Sequence, residues 1–413
     1  MKLYDELLWR GMIKDVSNAE LAEAAINQKG LRFYIGFDPT GKSLTIGHLV
    51  QIVRMRLMQL RGHHPIVLIG GATGLIGDPR EVGERKLLTI EESLNNAKLI
   101  EKQINKYLDP KDTIYVNNYD WIKKIDMITF LRDYGKSFNV NYMLAKDTIQ
   151  SRLETGISYT EFSYMIIQSI DFLNLYDNYN CQMQFGGSDQ WGNITAGLEL
   201  IRKTHGENNA IGMSSPLLLK TDGQKFGKSE GGAIWIDPEL TSPYELYQYF
   251  LNTSDSDVGE FLKKLTLLSV DEITELEEMA KNNPETRVAQ KALAAEITKF
   301  VHGELALTEA IKISEALFKG EFNDLSPTSF KVIVKSLDGV QVKENDLLVD
   351  VLIETKLAQS KREAREFITN GAISLNDEKI SDTNYQLSQA SALHQNYIVI
   401  KRGRRRHAVV YFS

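Results

Sequence analysis

The sequence contains little cysteine and no long apolar segment. Its single cysteine, Cys181, excludes an intrachain disulfide, which is typical of proteins from a reducing compartment. The longest apolar run, around residues 65–76, is interrupted by glycines and is too short to span a bilayer. The segment MKLYDELLWRGMIKD includes acidic side chains and lacks the continuous apolar core of a signal peptide. We therefore expect a soluble, cytoplasmic protein.

Positive charge is also scarce, with 48 Lys and Arg against 55 Asp and Glu and a net charge of -7. This balance argues against a general nucleic-acid coat. Residues 350–413 differ, because they hold ten Lys and Arg against seven Asp and Glu. The basic part of the chain is therefore its end. At 413 residues the chain is too long for one ordinary core, and we expect two to three domains.

The first 220 residues alternate strand-like apolar runs with helical periodicity. This pattern predicts an α/β domain in which helices cover a parallel sheet. Residues 33–37 and 66–69 are predicted as buried strands that end in glycine-bearing turns, and residues 181–185 alternate like a strand. We place this domain at 1–220 and a connector, rich in Gly and Lys, at 221–246.

The second half of the chain changes character. Residues 247–320 show helical spacing throughout, with a helix start predicted at Asn283 and Pro284, and a polar linker follows at 321–349. Residues 350–413 are predicted as a small α+β domain. In it, the capping box of Ser360 and Glu363 opens a helix, and a later hairpin has the basic turn 401–406.

Two segments carry chemistry that a nucleotide site needs. The first runs from Tyr34 to Thr40 and continues as Thr45-Ile46-Gly47-His48, and the second is Lys225-Phe226-Gly227-Lys228-Ser229. Each motif alone is more often structural than functional. The first, however, joins a strand to a helix, where glycine lets a nucleotide approach the backbone and the helix N-terminus faces phosphate.

The two segments resemble the HIGH and KMSKS signatures of class I aminoacyl-tRNA synthetases. Residues 70–79 (GGATGLIGDP) and 186–193 (GGSDQWGN) resemble bacterial tyrosyl-tRNA synthetases in particular, and the likeness covers essentially the whole chain. The resemblance implies a Rossmann-like catalytic domain, a KMSKS-type loop at the start of the connector, an all-α anticodon-binding domain and a terminal S-four-like RNA-binding domain.

The resemblance also implies the roles of individual residues toward ATP. The residues expected to bind ATP are Gly36, Asp38, Gly47, His48, Asp189, Lys225, Lys228 and Ser229. Those expected to act in catalysis are Thr40, Thr45, His48, Lys225 and Lys228. Attack of a carboxylate on the α-phosphorus needs positioning and charge stabilisation rather than an enzyme nucleophile. Mg²⁺ is expected on the phosphates as part of the substrate, without a dedicated protein metal site.

Three positions depart from the family pattern. Thr45 stands where the family usually has His, and Ile35 stands where Cys is common. The loop at 79–86 is short and lacks an early Lys, so that phosphate contact in this loop falls to Arg85. These changes affect the expected rate and the details of phosphate contact rather than the reaction.

A polar stripe on one predicted helix implies an amino-acid pocket. Tyr164, Gln168 and Asp171 share one face of a helix that begins at the capping box of Ser158 and Glu161. An isolated stripe of this kind more often faces water. By the resemblance it lines the tyrosine pocket instead, and the residues expected there are Tyr34, Asp78, Tyr164, Gln168, Asp171 and Gln190.

Within that pocket the resemblance implies three contacts. Asp78, Tyr164 and Gln168 would surround the ammonium group of the substrate, and Gln190 would lie near its carboxyl group. Asp171 and Tyr34 would meet its phenol. Phenylalanine would leave this buried pair without a partner, which is costly.

The resemblance further implies tRNA(Tyr) and a second copy of the chain as partners. The candidate phosphate contacts are Lys361, Arg362, Arg365, Arg404, Arg405 and Arg406. The alternative for these residues is a solvated basic tail. We expect removal of residues 350–413 to spare adenylate formation and weaken tRNA charging.

Three other functions remain open from the sequence. A tryptophanyl synthetase shares the class and the fold. A nucleotidylyltransferase with a HIGH-type fold would have neither the helical domain nor the RNA module. A non-enzymatic RNA-binding protein derived from a synthetase is an alternative because of Thr45 and Ile35, although His48, Lys225 and Lys228 argue for retained activity.

Overall fold

The computed structural model describes residues 1–79, 87–219, 221, 226–229, 232–319, 321–322, 324–403 and 406–412. The chain forms two compact units. Unit 1 comprises residues 1–240 and 254–289, and unit 2 comprises residues 241–253 and 290–413. Across the described ranges, every helix is too short or too polar to cross a membrane.

A parallel sheet forms the centre of unit 1, which confirms the predicted α/β class. Its strands, in spatial order, are β3 (Ile114–Asn117), β2 (His64–Ile69), β1 (Arg32–Phe37), β4 (Met183–Gly187) and β5 (Ile211–Ser215). All neighbours pair in parallel. The chain moves outward from β1 to β3 and then returns to β4, so the direction of winding reverses between β1 and β4. In such sheets the crevice at the carboxyl ends of these two strands is the usual ligand site.

Helices cover this sheet and complete unit 1. They are α1 (Leu3–Trp9), α2 (Ala19–Asn27), α3 (Leu49–Leu60), α4 (Thr73–Ile76), α5 (Ile90–Ile104), α6 (Tyr119–Ile122), α7 (Met127–Thr129), α8 (Val140–Leu144), α9 (Asp147–Leu153), α10 (Tyr159–Tyr179), α11 (Trp191–His205), α13 (Asp255–Leu265) and α14 (Val270–Asn282). A short antiparallel pair, β6 (Lys228–Ser229) and β7 (Gly232–Ala233), lies between α11 and α13 in the chain.

Buried Arg10 fixes the helices α13 and α14 within unit 1. Its guanidinium donates to the carbonyl oxygens of Lys263 at 2.9 Å and Thr266 at 3.3 Å, and it pairs with Glu6. These carbonyls belong to the last turn of α13 and the residue after it, where helices leave acceptors unsatisfied. Helical spacing alone groups residues 255–282 with the segment 247–320, whereas the tertiary contacts place them in unit 1.

Unit 2 combines helices with a second sheet. Its elements are α12 (Pro243–Leu251), α15 (Val288–His302), α16 (Glu304–Lys319), α17 (Pro327–Ser336), β8 (Val340–Val342), α18 (Leu348–Glu354), α19 (Lys361–Thr369), β9 (Ile373–Leu375), β10 (Glu378–Lys379), β11 (Tyr397–Arg402) and β12 (Arg406–Phe412). The order of the strands in this sheet is β10-β9-β11-β12-β8. Of the described strand pairs in this sheet, β12 and β8 are parallel and the others are antiparallel.

The segment predicted as a linker, 321–349, contains α17 and β8. A core cluster joins Phe330 and Ile333 of α17 to Val399 of β11 and Val409 of β12. At Asn283 and Pro284 the structure has a short 3-10 turn, and the following helix begins at Val288. The division of the chain into five segments stays a prediction, but a cut at residue 350 would remove apolar side chains that cover α17.

Candidate active site at the carboxyl end of the parallel sheet

A cavity of about 530 Å³ lies at the carboxyl ends of β1 and β4, where the winding of the sheet reverses. The predicted site residues that line it are Tyr34, Gly36, Asp38, Thr40, Gly47, His48, Asp78, Tyr164, Gln168, Asp171, Asp189 and Gln190. These residues come from five separate stretches of the chain. The fold therefore brings the predicted amino-acid and nucleotide residues into one cleft.

The buried end of the cavity carries a carboxylate beside a phenol. Asp171 is 1% exposed and accepts hydrogen bonds from Asn118 Nδ2 at 2.9 Å and Trp121 Nε1 at 2.8 Å. The hydroxyl of Tyr34 is buried and has no hydrogen-bond partner within the described part of the chain. A buried hydroxyl without a partner is costly, so this site favours a ligand that carries its own polar group.

Burial raises the pKa of both Asp171 and Tyr34. Burial raises the pKa of Asp171 to about 7, and the hydrogen bonds from Asn118 and Trp121 oppose this rise. Burial and the Asp171 charge raise the pKa of Tyr34 well above its usual range. At pH 8 Asp171 is therefore mostly ionised and accepts hydrogen bonds, while Tyr34 keeps its proton and can donate.

A hydrogen-bonded network surrounds Asp78 in the middle of the cavity. Asp78 accepts from Gln190 Nε2 at 2.8 Å and from Asn193 Nδ2 at 3.1 Å. Asn193 Nδ2 also approaches Gln168 Oε1 at 3.0 Å, and Lys146 Nζ donates to Asn193 Oδ1 at 3.0 Å. Because the ionised Asp78 carboxylate can only accept, the amide of Asn193 lies with its nitrogen toward Asp78 and its oxygen toward Lys146. Burial raises the pKa of Asp78 to about 6.

Asp38 connects the end of β1 to residues predicted to bind the amino acid. Its carboxylate accepts from the hydroxyl of Tyr164 at 2.9 Å and from Thr73 Oγ1 at 2.7 Å. Gly70 makes this approach possible, since a Cβ there would lie 2.0 Å from Asp38 Oδ1. The Tyr164 hydroxyl donates to Asp38, and its oxygen is left as an acceptor toward the cavity.

The side of the cavity that is predicted to bind the nucleotide is formed by the 3-10 turn Ile46–His48, which leads into α3. The backbone N–H of Thr45 donates to His48 Nδ1 at 3.2 Å. Because this N–H can only donate, Nδ1 is an acceptor and the ring proton lies on Nε2. Burial lowers the pKa of His48, so the ring is neutral at pH 7 and offers one N–H. The Thr45 hydroxyl lies 3.1 Å from the same nitrogen.

The segment after the second motif packs against this turn. The N–H of Ile46 donates to the carbonyl of Ile234 at 3.0 Å. At Gly227, which has a φ of +86°, a Cβ would lie 3.4 Å from the backbone nitrogen of Gly47. The two motifs, 180 residues apart in the chain, therefore meet where Gly227 lies against Gly47. Lys228 and Ser229 form strand β6.

Some predicted site residues either lie outside the described residues or belong to unit 2. Lys225, Arg85, Arg404 and Arg405 lie outside the described residues. In unit 2, Lys361, Arg362 and Arg365 are exposed on α19, and Arg406 is exposed at the start of β12. Lys361 pairs with Asp350 at 2.6 Å. Within the described residues, Arg362, Arg365 and Arg406 have no carboxylate partner, and exposed guanidinium groups of this kind suit phosphate contact.

The prediction from sequence missed several residues of the site. Asn118 and Trp121 contact Asp171, and Lys146 and Asn193 organise the surroundings of Asp78. Asn118 directly follows strand β3, a position from which polar side chains reach the carboxyl edge of a parallel sheet. Asn193 ends the quoted segment GGSDQWGN. We find no comparable sequence signal for Lys146.

Two family comparisons cover most of the chain. Residues 27–319 match the family described as tRNA synthetases class I (W and Y). Residues 329–410 match the family described as Tyrosine--tRNA ligase SYY-like C-terminal domain.

Whole-chain relatives agree with these matches. The chain is 51% identical over 413 residues to a tyrosine–tRNA ligase of Onion yellows phytoplasma, with 100% of both chains covered. It is 48% identical over 418 residues to tyrosine–tRNA ligase 1 of Bacillus cereus, again with 100% of both covered.

Among solved structures, a C-terminally truncated mitochondrial tyrosyl-tRNA synthetase of Aspergillus nidulans matches with a TM-score of 0.67 and 30% identity. That match covers 76% of this chain and 93% of the other. A tryptophanyl-tRNA synthetase of Encephalitozoon cuniculi, 16% identical with a TM-score of 0.54, shares the fold over 74% of this chain and 87% of its own.

Proposed function

The chain belongs to the tyrosine–tRNA ligase family of class I aminoacyl-tRNA synthetases, and on that premise we propose how its cavity performs the reaction. L-Tyrosine and ATP react to give tyrosyl-adenylate and pyrophosphate. The tyrosyl group is then transferred to the 3′-terminal adenosine of tRNA(Tyr). The reaction takes place in the cytoplasm, where a reducing environment suits the free thiol of Cys181.

The choice of tyrosine depends on two neighbouring buried groups, the Asp171 carboxylate and the Tyr34 hydroxyl, which has no hydrogen-bond partner among the described residues. The phenol of the substrate donates to the Asp171 carboxylate and accepts from Tyr34. Phenylalanine offers neither interaction. It leaves the Tyr34 hydroxyl unsatisfied and leaves the buried Asp171 charge with only Asn118 and Trp121 as donors, so the site rejects it without an editing step. Tyrosyl-tRNA synthetases are the standard case of such rejection.

The polar network above this pair holds the backbone groups of the amino acid. Asp78, the Tyr164 oxygen and Gln168 accept the three N–H groups of the substrate ammonium. Gln190, which donates to Asp78 at 2.8 Å, lies beside the substrate carboxylate. Asn193 and Lys146 keep these side chains oriented through the contacts described above.

In the first reaction step an oxygen of the tyrosine carboxylate forms a bond to the α-phosphorus, and the bond to the leaving pyrophosphate breaks. No covalent bond to the protein is needed, so the protein contributes position and charge stabilisation. His48 donates through Nε2, and Gly36 and Gly47 allow the nucleotide close to the backbone. The remaining proposed contacts are Asp38 and Asp189 toward the nucleoside, and Thr40, Thr45, Lys225, Lys228 and Ser229 toward the triphosphate. Mg²⁺ arrives with the triphosphate as part of the substrate.

The decisive experiment is ATP–pyrophosphate exchange with the amino acid as the variable. Exchange that depends on tyrosine, and is absent with phenylalanine or tryptophan, is the expected result. Exchange stimulated better by tryptophan would show that the specificity assignment is wrong. Absence of exchange with any amino acid would favour a non-enzymatic RNA-binding protein.

Tyrosine binding should weaken at acidic pH. Because burial raises the pKa of Asp78 to about 6, its ionised form is lost as the pH falls through that value. From Asp78 alone, KM for tyrosine in exchange should be about four times higher at pH 5.5 than at pH 8. Protonation of Asp171, whose pKa burial raises to about 7, acts in the same direction. A KM for tyrosine that stays constant between pH 5.5 and 8 would contradict this assignment.

We propose that the chain works as a homodimer through residues 127–159. This segment exposes an unusual number of large apolar side chains, which are Met127, Ile128, Leu131, Val140, Tyr142, Leu153 and Tyr159. Met127 is 75% and Ile128 is 66% exposed. Apolar surface of this extent in a short segment usually marks an interface.

Substitution of Ile128 and Tyr159 by Glu should convert the dimer to a monomer, because each protomer would then have to bury two carboxylates in an apolar contact. Sedimentation equilibrium measures the outcome. Leu305→Glu, at an equally apolar position that is 88% exposed in unit 2, is the matched control and should leave the mass unchanged. A wild-type chain that sediments as a monomer at micromolar concentration would refute the proposed assembly.

A further inference from the structure

Helix α3 carries a buried arginine, Arg54, that has no acidic partner among the residues that the structure describes. Arg54 is fully buried, and its hydrogen bonds go to two neutral side chains, Gln51 Oε1 at 2.8 Å and Ser215 Oγ at 3.0 Å. Its Nε and Nη1 have no hydrogen-bond partner among the described residues. Burial lowers its pKa to about 9, so it remains charged at pH 7. A buried, uncompensated charge destabilises a fold, and such costs concentrate at functional sites.

Arg54 lies directly behind the nucleotide side of the cavity. Its guanidinium carbon is 3.8 Å from the centre of the Phe185 ring, and Phe185 lines the cavity. Ser215, the second hydrogen-bond partner, approaches the carbonyl of Gly186, another lining residue, at 3.4 Å. Gln51 itself lines the cavity together with Gly47 and His48. Arg54 therefore touches the cavity wall through several neighbours without facing the cleft itself.

The contact with Arg54 determines which way the Gln51 amide points. A guanidinium has donors and no acceptor, so the oxygen of Gln51 must face Arg54. The amide nitrogen Nε2 is then left to donate toward the cavity. Because a charge-assisted hydrogen bond is stronger than a neutral one, this orientation is fixed before a ligand arrives.

We propose that Arg54 is a positioning residue for the nucleotide: it fixes Gln51 as an N–H donor to ATP and places a positive charge behind the nucleotide half of the cavity. This inference rests on the proposed function for the identity of the nucleotide. Asp38, Asp78 and Asp189 line the same cavity, and their negative charges oppose the approach of a triphosphate. The Arg54 charge offsets part of that repulsion.

Variants of half-exposed Gln51 test the donor. Gln51→Met keeps the length of the side chain and removes the amide, so KM for ATP in exchange should rise about fivefold. Gln51→Glu should pair with Arg54, neutralise it and leave no donor, so the rise should be larger although Tm is not lowered. In both variants KM for tyrosine should change less than twofold. A merely structural role would not separate the two substrates in this way.

Arg54→Met tests the charge and its coupling to Gln51. KM for ATP should rise about tenfold, and the double variant with Gln51→Met should be no worse than Arg54→Met alone, since both act through one donor. Arg56→Met, the same change on the same helix at a side chain bonded to Gln59 at 2.9 Å, is the matched control and should leave both KM values unchanged. If Arg54→Met lowers Tm too far for kinetics, the Gln51 variants decide alone.

The dissociation constant for ATP, measured by equilibrium dialysis without amino acid, separates this inference from the proposed function. Wild-type binding of ATP that the Gln51 variants weaken supports the inference whichever amino acid stimulates exchange. A dissociation constant and a KM for ATP within twofold of wild type in both Gln51 variants would overturn it. Equal rises in KM for ATP and tyrosine would also overturn it.

Discussion

Replacement of Asp171 by Asn should reduce kcat/KM for tyrosine in pyrophosphate exchange about 100-fold, or about 2.7 kcal/mol. The carboxylate already accepts from Asn118 and Trp121 at its two oxygens, and in the proposed site a remaining lone pair accepts from the substrate phenol. An amide has one oxygen, so its NH₂ group must face a donor. The charge that strengthens the contact to the phenol is lost as well.

For phenylalanine, in contrast, kcat/KM in pyrophosphate exchange should rise in Asp171→Asn. It has no hydroxyl to pair with Asp171, so the neutral amide removes a desolvated charge that hinders its binding. The ratio of tyrosine to phenylalanine activation should therefore fall by more than the loss in tyrosine activity. Unchanged exchange kinetics for tyrosine in Asp171→Asn would show that the assignment of this pocket is wrong.

The reduced kcat/KM for tyrosine in Asp171→Asn should not result from a loss of protein stability. Burial raises the pKa of Asp171 in the folded protein to about 7, above its value in the unfolded chain, so this group stabilises the fold most at acidic pH. That contribution is lost as the pH rises through about 7. At pH 8 the neutral Asn should therefore change Tm by less than about 5 °C. Asp177→Asn, on the same helix at a surface carboxylate bonded to His205 at 2.7 Å, is the matched control.

Replacement of Arg362 and Arg365 by Ala should raise KM for tRNA in the charging reaction about tenfold, while tyrosine-dependent exchange stays unchanged. Both side chains are exposed on α19, and each is proposed to donate a charge-assisted hydrogen bond to an RNA phosphate, which the substitution would remove. The dependence of log KM on log salt should become shallower by about two. Adding Arg406→Ala should raise KM for tRNA further and make its salt dependence shallower still.

Lys98→Ala combined with Lys102→Ala removes two exposed charges from α5 of unit 1 and serves as the control for net charge. Equal effects of the two double variants would show that the basic residues of α19 have no special role. Point substitutions are preferable to deletion of residues 350–413. Such a deletion strips Val399 and Val409 from Phe330 and Ile333, so impaired charging would also reflect damage to unit 2.

Local patterns in the sequence predicted the elements well. The apolar runs at 33–37 and 66–69 became central parallel strands, Arg32–Phe37 and His64–Ile69. The alternation at 181–185 became a strand two residues later, Met183–Gly187. Apolar periodicity reports which face of a segment is buried, and strand boundaries depend on the neighbouring strand, which no local pattern contains.

The grouping of helices into units could not be predicted in the same way. The periodicity of residues 255–282 predicts helices correctly, but their apolar faces fit any apolar surface. Arg10 holds these helices in unit 1, because it donates to the carbonyls at the end of α13 from a position some 250 residues earlier in the chain. Likewise the polar composition of 321–349 gives no hint that β8 pairs in parallel with β12.

By itself the sequence determined the parallel α/β architecture, the glycine-bearing turn that leads to His48, and the shared face of Tyr164, Gln168 and Asp171. Each depends on covalent spacing within one segment, where strand and helix periods fix which side chains point together. Only the tertiary structure decided that Asn118 and Trp121 hold Asp171, that Gly227 lies against Gly47, and that Arg54 supports the cavity wall through Phe185. These contacts join distant segments, and which surfaces meet is settled by packing the whole core.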